Sequence, residues 1–155
     1  MKVYRIAKAE NIYDLTGLGA RIYGGRWNLK DTSVIYTSDS RALACVEYFV
    51  HVDTTIGLKG LKIAVIAIPD DILPKEIAIS ALPKNWRSYN PPPLELAELG
   101  AKWARRGETL LLRVPSAVVE HEYNIIINPS HLDIKRVAVK QVEDFIYDER
   151  LTKRR

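Results

Sequence analysis

The strongest constraint on the fold is a series of short, strand-like segments that regular helices do not separate. "KVYRI" (2–6), "SVIYTS" (33–38), "LKIAVIAI" (61–68), "KEIAIS" (75–80), "TLLLRVPS" (109–116), "EYNIIIN" (122–128) and "IKRVAVK" (134–140) all read as strands. Only two stretches carry a helical signature. "SDSRALACVEYFVHV" begins at Ser38 or Ser40 as its cap. "NPPPLELAELGAKWARRGE" has its prolines at the start, Arg105 and Arg106 in the last turn and Gly107 just beyond. These strands with few helices, out of strict alternation, predict a mixed α+β domain rather than a doubly wound sheet. The chain has 155 residues, 47% of them apolar, which suits one domain over residues 1–155 with its own core. "VEDFIYDERL" closes that domain, and "LTKRR" reads as a short, solvated basic tail.

Several function classes are disfavoured at once. The longest apolar run starts at Leu61, is interrupted by Lys62 and is too short to span a bilayer. The N-terminus "MKVYRIAKAE" has no signal-peptide apolar region, so the expected location is cytoplasmic, without a membrane partner. Cys45 is the sole cysteine, and His51, His121 and His131 are far apart, so no metal site is expected. The net charge of +4 permits anionic partners, but aromatic and basic residues are not interleaved. "GLGARI" lacks the third glycine of a dinucleotide fingerprint, and no strand is expected to lead into it or helix to follow. Ser116 sits in "VPSAV" rather than in a nucleophile elbow.

What remains is a set of polar residues, each with two readings. In "GGRWN" (24–28), inside an irregular Gly-rich stretch from 10 to 32, the glycines allow close backbone approach, and Arg26 offers a fork of donors for phosphate or carboxylate. The plain alternative is a turn with Trp27 in the core and Arg26 in a salt bridge, for instance to Glu47. Glu47 falls at the border of the apolar stripe of its helix, which suits either a solvated carboxylate or one at the rim of a pocket. Tyr36 is a packing residue or a ligand contact. Ser116 and Asn128 are turn residues or polar groups of a site.

Taken together, "GGRWN", "VIYTSDSRALACVEYFVH", "RVPSAVVEHEYNIIINPSH" and "FIYDERL" resemble the RES-domain family, in that family's order and over about residues 4–151. The family is named for an arginine, a glutamate and a serine, which map onto Arg26, Glu47 and Ser116. The resemblance implies a compact fold similar to that of ADP-ribosyltransferases, with a twisted, split sheet flanked by helices. It implies a bacterial toxin that consumes NAD as substrate, by hydrolysis or by phosphorolysis with inorganic phosphate. A protein ADP-ribosyltransferase is the alternative, and a basic nucleic-acid-binding module the non-enzymatic one. The implied catalytic residues are Glu47, Arg26 and Ser116, and the implied ligand-binding residues are Arg26, Tyr36, Ser116 and Asn128. The implied partner is an Xre-like antitoxin, with nucleic acid met only through it. Arg26 and the Gly-rich loop further predict that a segment of the antitoxin blocks the cleft near Arg26, with binding at a remote face as the alternative. Residues 81–93 receive no role.

Overall fold

The computed structural model describes residues 1–153, so the last two residues of the basic tail lie outside the described residues. Its strands are β1 (Lys2–Lys8), β2 (Ile35–Ser38), β3 (Leu61–Ala67), β4 (Lys75–Glu76), β5 (Leu111–Pro115), β6 (Tyr123–Ile127) and β7 (Ala138–Phe145). Its helices are α1 (Leu18–Tyr23), α2 (Arg41–His51), α3 (Leu94–Arg106) and α4 (Glu149–Thr152). Among the described residues the strands form one seven-stranded sheet in the order β4-β5-β6-β2-β1-β3-β7, and the fold is α+β. The β4–β5 pair is parallel, and the other neighbours are antiparallel. No helix among the described residues is long and apolar enough to cross a membrane.

One joint in the sheet differs from the rest. β1 pairs with β3 along its whole length, and β2 pairs with β6 from Ile35 to Ser38. β1 and β2 meet only at Tyr4↔Ser38. The two halves of the sheet therefore part on either side of that contact. Side-chain alternation then sorts the core. On one face, Val3 and Ala7 of β1, Ile35 of β2, Ala64 and Ile66 of β3, Leu111 of β5, and Ile125 and Ile127 of β6 form a continuous cluster. On the other face the core is divided. Leu112, Val114 and Ile126 pack under α3 with Trp27 and Trp103, while Ile6, Leu61 and Ile63 pack under α2 with Ala44 and Tyr147. The gap between these two clusters lies over the β1–β2 joint.

The two helices form as their local chemistry dictates. Ser40 caps α2, its side chain accepting from Leu43 N at 3.0 Å. Gly107, at φ 61°, closes α3 with its N–H on Trp103 O. Three expectations are corrected. The strand expected over 75–80 shrinks to Lys75–Glu76, followed by a 3-10 turn at Ile79–Ala81. The segment 134–140 is split between a 3-10 turn, Leu132–Arg136, and β7, which runs on to Phe145 with a register shift opposite Val65/Ile66. The Gly-rich stretch contains α1, a single exposed helix framed by Gly17 at φ 70° and Gly24 at φ 69°. Leu18, Ile22 and Tyr23 on it are exposed, so no amphipathic period marks it in the sequence.

Gly100 sets the fit between α3 and the "GGRWN" turn, because a Cβ there would lie 1.8 Å from Trp27 O. Trp27 itself is 3% exposed, so neither partner has room to move. Gly100→Ala is expected to destabilise the fold by about 2–3 kcal/mol, several degrees in Tm for a chain of this length. Gly19→Ala, where a Cβ meets nothing within 4 Å, should leave Tm unchanged or raise it, given a helix-interior gain of roughly 0.5–1 kcal/mol. Thermal unfolding of the two variants checks the contrast.

Candidate active site

The gap over the β1–β2 joint opens as a cleft of about 760 Å³, within the range typical of small-molecule and cofactor sites. Its lining includes Arg5, Arg26, Tyr36, Glu47, Arg87 and Asn124. Three of these, Arg26, Tyr36 and Glu47, are among the residues singled out from the sequence. Glu47 projects from the border of α2, half-buried, as its helical position suggested.

One oxygen of Glu47 is held by two donors. Ser116 Oγ donates to Glu47 Oε1 at 2.7 Å, and Asn124 Nδ2 donates to the same oxygen at 2.6 Å. Ser116 is 2% exposed. Its own oxygen accepts from Val118 N at 3.1 Å and Val119 N at 3.0 Å, which leaves its single proton for Glu47. Ser116 thus stands behind the carboxylate, at the end of β5, rather than in the cleft wall. Glu47 Oε2 makes no protein hydrogen bond among the described residues.

Asn128 is not brought to the cleft. It is 1% exposed, donates to Ala104 O at 2.9 Å and accepts from Ser130 N at 3.0 Å, so it ties the exit of β6 to α3. The asparagine at the carboxylate is Asn124, four residues earlier on β6. It is fixed there by Ser38, whose Oγ donates to Asn124 Oδ1 at 2.7 Å across the β2–β6 pair. The Ser38↔Asn124 pairing that selects between the two asparagines is a property of strand register, not of local sequence.

"GGRWN" forms a tight turn in which Gly25 and Asn28 exchange backbone hydrogen bonds at 3.0 and 3.4 Å. Tyr36 pins it. Its hydroxyl accepts from Trp27 N at 3.0 Å and donates to Asn28 Oδ1 at 2.7 Å, and burial pushes its pKa well up. A Cβ on Gly25 would lie 2.6 Å from that hydroxyl. The close approach that Gly25 permits is therefore to the Tyr36 ring, and the Tyr36 hydroxyl is committed to the protein.

Arg26 is held by the segment left without a role in the sequence. Its guanidinium donates to Trp86 O at 2.7 Å and Ser88 O at 3.1 Å, rather than pairing with Glu47. The same segment sends Arg87 to Ala117 O at 3.1 Å and into an ion pair with Glu120. Residues 86–89 thus strap the cleft, presenting Arg87 and Tyr89 to it. Arg5 was missed from the sequence, although an arginine inside an otherwise apolar strand is a signal. It donates to Asp14 O, and its other N–H groups make no protein hydrogen bond among the described residues. Burial lowers the pKa of both Arg5 and Arg26, opposed by Asp14 for the first and Glu47 for the second. Arginine nevertheless stays charged at neutral pH. The cleft combines partly desolvated guanidinium groups with one carboxylate oxygen free. That suits a ligand with an anionic part and a centre that becomes positive.

Because the Tyr36 hydroxyl serves the turn, Tyr36→Phe should cost roughly 1–3 kcal/mol in the absence of any ligand, by leaving Trp27 N and Asn28 Oδ1 without their partner. Chemical denaturation of the apo protein measures it. Unchanged stability would show that the hydroxyl does not hold the turn.

Comparison with known proteins agrees with this architecture. The model of the RES domain matches residues 2–148. A protein of Sphingobium sp. (strain YBL2), named Prs ADP-ribosylating toxin, is 36% identical over 97% of this chain and 96% of that protein. A Yersinia enterocolitica protein named Toxin Res is 34% identical over 97% of this chain and 99% of its own length. Among solved structures, a chain of the M. tuberculosis MbcT–MbcA toxin–antitoxin complex superimposes with a TM-score of 0.73. That match has 19% identity and covers 94% of this chain and 84% of that one, so the fold is shared. With the family model matched over nearly its whole length and relatives above 30% identity across it, the chain belongs to the RES-domain family.

Proposed function

We propose that the protein is the toxin of a toxin–antitoxin pair, and that its cleft takes NAD and cleaves the bond between nicotinamide and ribose. The observation that carries the reading is the Glu47 carboxylate, anchored through Oε1 and open at Oε2, in a cleft also lined by Arg5, Arg26 and Arg87. The names of the family relatives as toxins support the biological role.

The chemistry follows from the substrate. Nicotinamide bound to ribose is cationic and leaves as a neutral molecule, so no strong general acid is needed. The barrier lies in the oxocarbenium-like ribosyl centre that forms as the C–N bond breaks. A fixed carboxylate stabilises that positive charge without reorganising. Glu47 takes this role, with Ser116 as a positioning residue behind it. Arg5 and Arg26 bind the diphosphate, and the Tyr36 ring, whose hydroxyl is already engaged, contributes an apolar wall. An acceptor then adds to the ribosyl carbon and gives up a proton. Water or inorganic phosphate as acceptor makes the reaction hydrolysis or phosphorolysis.

A second reading, transfer of ADP-ribose to a protein, shares every step but the acceptor, and the name of the Sphingobium relative as an ADP-ribosylating toxin favours it. In either case unrestrained activity would harm the producing cell. An antitoxin segment carrying a carboxylate would compete for the guanidinium groups that bind phosphate, and so neutralise the toxin by occupying the cleft.

The test is incubation of purified protein with NAD, with and without phosphate, followed by product identification. Nicotinamide release is expected. Glu47→Gln should lower kcat by about 100-fold or more, whereas Arg5→Ala and Arg26→Ala should act mainly by raising KM, by roughly tenfold or more. Intact NAD after prolonged incubation with folded protein would rule out solvolysis. Label transfer from NAD to a protein in lysate would then support the second reading.

A further inference from the structure

The polar chain around Glu47 extends one residue further than the carboxylate needs for simple satisfaction. Ser38 Oγ donates to Asn124 Oδ1 at 2.7 Å, and Asn124 Nδ2 donates to Glu47 Oε1 at 2.6 Å. We propose that Ser38 and Asn124 are positioning residues that lock the Glu47 carboxylate with Oε1 toward the strands and Oε2 toward the cleft. This rests on the reading of Glu47 as the group facing the reacting ribose.

The argument is one of donors and acceptors. A carboxylate only accepts, so it tolerates only the Nδ2 end of the Asn124 amide. The opposite end, Oδ1, then needs a donor. Ser38 supplies it from a site 4% exposed, on the strand partner directly opposite Asn124. A flipped amide would set Oδ1 against Glu47 Oε1 and break the chain at its strongest link, since a hydrogen bond to a charged acceptor is worth about twice a neutral one. Ser116 fills the other acceptor site of Oε1, and its hydroxyl cannot rotate away because two backbone N–H groups hold its oxygen. The carboxylate is therefore gripped at one oxygen from β5 and from β6, and the β6 grip is backed by β2.

Ser38 is also the residue at which β2 meets β1, opposite Tyr4. The same residue thus marks the joint of the sheet and directs the amide.

The experiment uses the full chain, labelled with nitrogen-15, and reads the Asn124 side-chain amide by NMR beside steady-state kinetics. In the wild type the amide protons should be resolved and slowly exchanging. Ser38→Ala should speed their exchange about tenfold or more and lower kcat by about tenfold, with KM within roughly twofold. Ser38→Thr, which keeps the hydroxyl, should restore both. In an Asn124→Ala background, Ser38→Ala should change kcat by less than about twofold, because its effect passes through the amide. If Ser38→Ala does not fold, Asn124→Asp reads the next link of the chain, from the amide to Glu47: it keeps the shape and the acceptor for Ser38, replaces the donor to Glu47 with an acceptor, and should lower kcat at unchanged KM. Fast exchange in the wild type, additive kinetic effects of the two substitutions, or a change in KM alone would overturn the proposal. A protected amide in a protein that neither consumes NAD nor transfers ADP-ribose would leave the lock standing and remove the functional reading instead.

Discussion

β1 and β2 pair at Tyr4↔Ser38 alone. A fully paired joint would bring the two halves of the sheet edge to edge and let the clusters under α2 and α3 merge into one core. With a single paired position they stay apart, and the space between them stays open as the cleft, with Arg26, Glu47 and Asn124 among its lining. The opposite face has no such break, and its continuous cluster holds the two halves together. The cleft thus depends on incomplete strand pairing on a sheet whose other face is intact, a division of labour between stability and site.

Charge completes the arrangement. Partly buried guanidinium groups are costly unless they are paired or face water or a ligand. Arg26 meets this cost with two carbonyl oxygens of the strap, and Arg87 with Glu120 and Ala117 O. Arg5 meets it with the carbonyl of Asp14 and the nearby Asp14 carboxylate. Glu47 is the counterpart, satisfied at one oxygen and open at the other. The strap at 86–89 follows from the same logic, because Arg26 orders it from below while Trp86 packs against the α3 core.

Much of this was legible in the sequence where the cause is local. The cap at Ser40, the prolines and Gly107 around α3, the border position of Glu47 and the buried Trp27 all rest on interactions within a few residues. The features that escaped depend on distant pairing. Asn124 and Asn128 flank the same three isoleucines, and only the register with Ser38 shows that the first faces the carboxylate while the second closes a turn. Ser116 stands out in the sequence only as a polar candidate, and its burial behind Glu47 depends on two backbone N–H groups that fold back on it. The strap at 86–89 carries no periodic pattern, and its order comes from Arg26, sixty residues away. β7 runs past the expected Lys140 because an edge strand need not alternate cleanly, and none of its residues is fully buried.

The most direct measurement of the central claim is a crystal structure of the Glu47→Gln protein soaked with NAD. The account predicts the dinucleotide in the cleft over the β1–β2 joint, its diphosphate against Arg5 and Arg26, and the ribosyl carbon that bears nicotinamide facing residue 47 at about 3–3.5 Å, as a reacting pair requires. A nucleotide seated elsewhere on the protein, or a cleft that stays free of it at saturating NAD, would contradict the account.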